Sequence, residues 1–92
     1  MKWYGKIKDR KTRAIIQRRI DSIEAGNIGN VSECGKGVHE LKINYGPGFR
    51  IYFGNDGAKI IIILCGGEKG TQQKDINRAQ EYWGVYKEGK DG

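Results

Sequence analysis

Residues 38–70 contain three strand-like segments separated by two turns, and this spacing restricts the chain to a sheet-centred fold. Apolar residues occupy alternate positions in residues 41–45 (LKINY) and 49–53 (FRIYF), the period of two expected for strands with one buried face. Between them, Gly46-Pro47-Gly48 interrupts the ladder and supplies positive φ, so it predicts a tight hairpin loop. The stretch is therefore predicted to form an antiparallel meander.

The same alternation predicts the register of the hairpin. A three-residue loop sets Ile43 opposite Ile51, whereas a two-residue loop would set Ile43 opposite Arg50 and mix the two faces. The longer loop also places Lys42 opposite Tyr52. The face away from the apolar stripe is then polar and mostly cationic, with Glu40, Lys42, Asn44, Arg50 and Tyr52.

Residues 58–65 (AKIIIILC) follow the turn cluster Gly54-Asn55-Asp56-Gly57. This run is too short to span a membrane, and its β-branched residues are typical of a strand that is covered on both faces or central in the sheet. We expect it to be the most buried strand, with the polar residues 66–71 emerging at its end.

Two helices are predicted to flank the meander. Asp9 is a suitable N-cap for a helix over residues 11–25 with a buried stripe of Ile16, Ile20 and Ile23, and Gly26 is a suitable stop. Residues 27–37 are expected to be a polar connection. The helix also carries basic residues, which fit either a solvated face or a nucleic-acid contact: Arg10, Lys11, Arg13, Arg18 and Arg19.

The second helix is predicted to begin at Thr71, a suitable cap, and to cover the sheet. Its apolar stripe consists of Ile76, Ala79, Trp83 and Tyr86. We expect one domain over residues 1–92, with a short helical turn in residues 1–8 and a flexible tail from about residue 88. Neither a signal peptide nor a membrane anchor is expected.

Charge and cysteine content narrow the functional classes. The formal net charge of +6 points to a polyanionic partner such as nucleic acid or a very acidic protein, although a basic surface also serves solubility alone. Cys34 and Cys65 lack a metal-binding spacing and fit a reducing, cytoplasmic setting, with a disulfide between them as the alternative. We expect neither a metal nor a cofactor, because no metal-ligand cluster or nucleotide-binding loop can be built from these residues.

The remaining reactive residues suit one chemistry better than others. RNA is cleaved without a metal when a base removes the 2′-hydroxyl proton, cations stabilise the charge on the phosphate and an acid protonates the leaving oxygen. The candidate cations are Lys42, Arg50, Lys69 and Lys74, and the candidate proton carriers are Tyr52, Glu40, His39 and Glu68. A basic strand face of this kind also fits a binding surface without catalysis.

Several segments together resemble the RelE/ParE superfamily of toxin–antitoxin toxins, in particular the HigB-like addiction module killer proteins. The resemblance covers nearly the whole chain, and its most specific parts are YGPGFRIYF at residues 45–53 and LCGGEKGTQ at residues 64–72. It implies an α+β fold of RelE type: an N-terminal helical hairpin, a meander of three or four strands and a C-terminal helix, with the helices on one face of the sheet.

The resemblance also implies an activity, a site and partners. The activity is that of an mRNA interferase, a metal-independent endoribonuclease that cuts messages on the ribosome and is neutralised by an antitoxin. The family's site positions match Lys42, Arg50 and Lys69, with Tyr52 as a further catalytic candidate. Separately from the resemblance, the basic charge of Arg10, Lys11, Arg13 and Lys74 leads us to expect RNA contacts from these residues.

The chain departs from that family at two points. Relatives begin with a further strand and a full first helix, whereas this sequence starts at Met1-Lys2-Trp3, inside what resembles that helix. Some ribosome-dependent relatives use a tyrosine near the last helix, and none occurs here between residues 71 and 81. Two other functions stay open: a gyrase-inhibiting toxin of ParE type, and a non-catalytic RNA- or ribosome-binding module.

Overall fold

The computed structural model describes residues 9–26, 31–46, 48–57 and 61–91, including the side chains of all of these except residues 61, 90 and 91. The elements in chain order are helix α1 (Arg10–Glu24), strands β1 (Val31–Glu33), β2 (Val38–Ile43), β3 (Phe49–Asn55) and β4 (Ile61–Glu68), a 3-10 turn (Lys69–Thr71) and helix α2 (Gln72–Asp91). The predicted α+β class is confirmed. The helical turn expected in residues 1–8 lies outside the described residues.

Helix α1 is closed at both ends by the predicted residues. The Asp9 carboxylate accepts hydrogen bonds from the Lys11 backbone N–H at 3.3 Å and from the Thr12 hydroxyl at 2.6 Å. These bonds hold the pKa of Asp9 below its usual value, the Thr12 bond being the largest cause. After the helix, Gly26 takes the left-handed φ of 99° that permits the chain to turn away.

The four strands form an antiparallel meander in the order β1-β2-β3-β4. Its hairpin register differs from the predicted one by two residues, because Ile43 pairs with Phe49 and Lys42 with Arg50. The connection therefore spans residues 44–48, where Gly46 and Gly48 have φ values of 58° and 86°. A shift of two keeps every side chain on its predicted face, so the division into polar and apolar faces is unaffected.

The outer strands also differ from expectation. Strand β1 lies within the predicted connection 27–37, where three residues with a single apolar side chain give no strand pattern. Strand β4 was expected to be the most buried strand, either covered on both faces or central, yet it lies at the edge of the described sheet and pairs with β3 alone. Residues 62–64 are only half-buried, whereas residues 51–54 of β3 are all buried. Strand β4 also continues through Gly66 and Gly67 to Glu68, beyond its apolar run.

The two helices pack on opposite faces of the sheet, whereas the family resemblance implied one face. Neighbouring residues of β3 show this directly, since Ile51 belongs to the α1-side core and Tyr52 to the α2-side core. The α1-side core contains Ile16, Ile20, Ile23, Leu41, Ile43, Phe49, Ile51 and Phe53. The α2-side core contains Val38, Tyr52, Cys65, Ala79 and Trp83.

Helix α2 has the predicted stripe, because Ala79 and Trp83 are buried and Ile76 and Tyr86 pack against them. It differs from the prediction at its C-terminal end, where it runs on to Asp91 through the segment expected to be a tail. Neither described helix has the length and apolar character that a membrane crossing requires.

Candidate functional site

Lys42 and Arg50 lie directly opposite each other on β2 and β3. Cross-strand partners share a face of the sheet, and here that face is the one covered by α2. Lys42 is exposed, whereas only 12% of the Arg50 side chain is accessible. On its other side Arg50 pairs with Gly67 of β4. The sheet thus presents two cations side by side, next to a glycine whose missing side chain makes room for a residue of α2.

A buried carboxylate holds the Arg50 guanidinium group. Glu40 Oε1 accepts a hydrogen bond from Arg50 Nη1 at 3.0 Å, and Glu40 Oε2 accepts one from Gln72 Nε2 at 2.9 Å. Glu40 is only 2% exposed, so its charge depends on these two partners in place of water. We call Glu40, Arg50 and Gln72 the Arg50 cluster; it joins β2, β3 and the first residue of α2.

Tyr52 lies beneath this cluster and is closed off from solvent. It pairs with Glu40 across the strands, is 0% exposed, and its hydroxyl has no hydrogen-bond partner of acceptable geometry among the described residues. Burial raises the pKa of the Tyr52 phenol, and the negative charge of Glu40 adds to that effect. With α2 seated on the sheet, the Tyr52 hydroxyl is neutral and out of reach of a substrate.

The N-terminal end of α2 is attached to β4 by a second polar group. The Thr71 hydroxyl donates to Asp75 Oδ2 at 2.5 Å and lies 3.3 Å from the Glu68 carbonyl oxygen. Asp75 is 6% exposed, and its carboxylate occupies the space where a side chain on Gly67 would begin. Thr71 therefore precedes α2 as predicted, but its hydroxyl bonds a side chain of the helix.

Cys65 lies next to this second group. Its thiol donates to the Asp75 carbonyl oxygen at 3.5 Å. Burial, with a smaller contribution from the charge of Asp75, raises the pKa of the Cys65 thiol to about 11. Burial likewise raises the pKa of Cys34, so neither described cysteine is an activated nucleophile.

Two further predicted cations, Lys69 and Lys74, lie where β4 ends and α2 begins. Lys69 follows β4 directly, and its backbone N–H donates to the Gly48 carbonyl oxygen at 3.2 Å, which places it beside the β2–β3 hairpin. Lys74 is on the first turn of α2. Both side chains are exposed.

The structure separates the remaining candidates from this site. His39 pairs with Phe53 and stacks on its ring with centroids 5.4 Å apart, which puts it on the α1 face. Glu68 pairs with Phe49 and so belongs to that face as well. The exposed residues Arg10, Lys11 and Arg13 are on α1, in the layer on the far side of the sheet.

Sequence reasoning missed Gln72 and Asp75 as parts of the site and took Glu40 only as a proton carrier. One signal was available for Glu40: it shares the predicted polar face with Arg50, and opposite charges on one sheet face pair readily. Gln72 offered no comparable signal, since its role depends on the position at which α2 begins.

Comparisons with known proteins identify a relative but no described family. No protein-family model matches the chain, and no solved structure matches it. A protein of Haemophilus influenzae, described as uncharacterized, is 40% identical to it over 78 residues, which cover 85% of this chain and 79% of that protein. At this identity and coverage the chain belongs to the same family as the Haemophilus influenzae protein.

Proposed function

We propose that the protein is the toxin of a type II toxin–antitoxin module, of the RelE/ParE superfamily, and that it cleaves mRNA as a metal-independent endoribonuclease on the ribosome. The observation that carries the proposal is the cross-strand pair of Lys42 and Arg50, one exposed and one held in place by Glu40. The resemblance of residues 45–53 and 64–72 to HigB-like toxins supports the same function.

The pair suits phosphodiester cleavage by the RNA's own 2′-hydroxyl. That oxygen attacks phosphorus, the bond to the 5′-oxygen breaks, and negative charge builds on the non-bridging oxygens in between. Fixed cations aimed at this developing charge lower the barrier. In the proposal Arg50 and Lys42 bind the phosphate, and an arginine contributes a planar set of N–H donors that matches its oxygens.

Proton transfer falls to exposed groups in this proposal, because the Tyr52 hydroxyl is buried under α2. The 2′-hydroxyl proton goes to solvent water, because the candidate bases His39 and Glu68 lie on the α1 face, and the leaving 5′-oxygen receives a proton. Lys69, beside the hairpin, is the exposed group that we assign to the leaving oxygen. The proposed setting is the cytoplasm, where mRNA, the ribosome and an antitoxin protein are the partners.

The experiment is primer extension on a defined message, with the protein added to a translating extract and, separately, to naked RNA. Lys42→Ala should lower cleavage by about 100-fold, the typical effect of removing one donor to a developing oxyanion. Lys36→Asn is the matched control, because it also removes one exposed lysine charge, and asparagine tolerates the φ of 57° at that position.

Cuts confined to the translating extract would support a ribosome-dependent interferase, and cuts in both would support a free ribonuclease. Intact RNA in both would contradict the proposal. The burial of Tyr52 favours one rival, a non-catalytic RNA-binding module, which would bind RNA with strong salt dependence and cut nothing. A gyrase-inhibiting toxin would instead produce DNA damage with intact messages.

A further inference from the structure

We propose that Gln72 and Glu40 are positioning residues, which hold the Arg50 guanidinium group in its phosphate-binding orientation only while the N-terminal end of α2 is seated on the sheet. The inference deepens the proposed function and rests on it for the role of Arg50 in cleavage. Whether Gln72 restricts the motion of the Arg50 guanidinium group can be measured without any RNA cleavage.

The contacts form an uninterrupted chain from α2 to Arg50. Gln72 Nε2 donates to Glu40 Oε2 at 2.9 Å, and Glu40 Oε1 accepts from Arg50 Nη1 at 3.0 Å. Because each partner takes a different carboxylate oxygen, the carboxylate cannot rotate without breaking one bond. Gln72 therefore fixes the plane of the carboxylate, and the carboxylate fixes the guanidinium group.

The arrangement leaves Arg50 able to bind an anion. An arginine carries five N–H donors, and the bond to Glu40 uses one nitrogen, Nη1. The side chain keeps 12% of its surface accessible, and the neighbouring Lys42 adds an exposed positive charge. A phosphate group can therefore reach the guanidinium group from the side of Lys42 while Glu40 holds it from behind.

Stability alone does not explain these contacts. A buried ion pair recovers little more than the cost of removing its charges from water, and well-packed apolar residues of similar size often stabilise a fold as well or better. The Glu40 carboxylate is 2% exposed, and its second oxygen accepts its hydrogen bond from the Gln72 side-chain amide of α2. What this arrangement provides is a fixed direction for a cation, and orientation is worth much in catalysis.

The test is the Gln72→Met variant, which keeps the length of the side chain and removes its donor. Gln80→Met is the matched control: Gln80 is also on α2 and also half-buried, and its Nε2 donates to the Cys34 carbonyl oxygen at 2.7 Å, away from Arg50. Both variants lose one hydrogen bond between α2 and the rest of the fold, and Gln72→Met should lose more stability because its acceptor is a buried carboxylate.

Two measurements are made on each protein. Nitrogen-15 NMR of the arginine side chains, assigned with an Arg50→Lys variant, reports whether the two Nη groups of Arg50 give separate signals. They do so when a hydrogen bond at Nη1 prevents the guanidinium group from rotating. Kinetics with the cleaved message give kcat and KM. We expect Gln72→Met to merge the Nη signals and to lower kcat by about 10- to 100-fold with KM within about twofold, and Gln80→Met to change neither.

The outcomes separate the two proposals. Separate Nη signals in Gln72→Met would overturn the inference whatever the activity. Merged signals with an unchanged kcat would overturn the positioning role and leave the endoribonuclease proposal standing. A wild-type protein that cuts no RNA would refute the proposed function, yet merged signals in Gln72→Met with separate signals in Gln80→Met would still support the control of Arg50 by α2.

Discussion

Trp83 of α2 lies directly over the backbone of Gly54 in β3, where its six-membered ring occupies the space that a side chain at residue 54 would need. The indole nitrogen edge lies close to Gly37 in the same way. Tyr86 stacks on Trp83 at 5.3 Å between centroids, and its hydroxyl donates to Asp56 Oδ2 at 2.7 Å. The C-terminal half of α2 thus packs on the sheet through aromatic rings that contact the backbone of glycine residues.

Gly54→Ala should therefore destabilise the fold. An added methyl group would overlap the Trp83 ring, which is 6% exposed, so the ring or the strand would have to shift. Overpacking of a core typically costs about 1–3 kcal/mol. Urea unfolding followed by tryptophan fluorescence measures the change, and an unfolding free energy equal to wild type would contradict this account of the contact.

Gly84→Ala, one residue beyond Trp83, should have the opposite effect. Nothing lies within 4 Å of the position where its side chain would begin, and residue 84 is inside α2. Replacing an interior helical glycine by alanine is worth about 0.5–1 kcal/mol. A higher melting temperature in thermal unfolding by circular dichroism is the expected result, and a lower one would mean that α2 needs the glycine for a bend.

Arg50 and Glu40 should show strong energetic coupling. Arg50→Gln leaves the Glu40 carboxylate buried without its cation, which costs about 3–5 kcal/mol, whereas the same change in a Glu40→Gln background should cost much less. A double-mutant cycle in urea measures the difference. Additive effects of the two substitutions would show that the pair is not coupled, and Arg50→Glu is unsuitable for activity tests because it would bring two buried carboxylates together.

Tyr52→Phe should stabilise the protein or leave it unchanged. The Tyr52 hydroxyl is buried without a partner among the described residues, and such a group costs about 1–3 kcal/mol relative to one in water. The ring, which fills the α2-side core, is retained. Chemical denaturation gives the sign, and a loss of stability would show that the hydroxyl has a partner, for which the Glu40 carboxylate is the neighbouring acceptor.

Alkaline pH should weaken the fold, because the buried Cys65 thiol ionises less readily in the folded state than in the unfolded state. The pKa of Cys65 is raised from 9.0 to about 11 in the folded state, mainly by burial, so the folded state binds more protons than the unfolded state between these values. The stabilisation that comes from the neutral Cys65 thiol is fully present below pH 9 and is lost as the pH rises towards 11. The unfolding free energy should fall over this range, and less steeply in Cys65→Ala.

The helices and the sheet faces could be predicted from the sequence, because they depend on local pattern. Asp9, Gly26 and the isoleucine stripe of α1 are sufficient to define that helix, and the alternation around Ile51 assigns both faces of β3. The exact pairing could not be predicted, since loops of three and five residues keep the same parity and differ only in the turn geometry of Gly46 and Gly48.

The environment of the site could be predicted only in part, for a related reason. Lys42, Arg50 and Glu40 share a face by alternation alone, but whether that face is open or covered depends on where α2 lies. The apolar stripe of α2 indicates only that the helix packs on the sheet, and it is equally compatible with either face. The same stripe therefore could not show that Tyr52 is buried or that Gln72 reaches Glu40.

Because one helix packs on each face, the sheet separates two regions of different chemistry, which we call the α1 compartment and the α2 compartment. The α1 compartment is lined by apolar side chains, and the other contains the buried carboxylates. Substitutions around Ile16 or Ile20 change the free energy of folding without touching Arg50 directly. Stabilising changes can thus be introduced on the α1 side while the site on the other side is left intact, which makes that compartment the place to compensate for damaging variants of the Arg50 cluster.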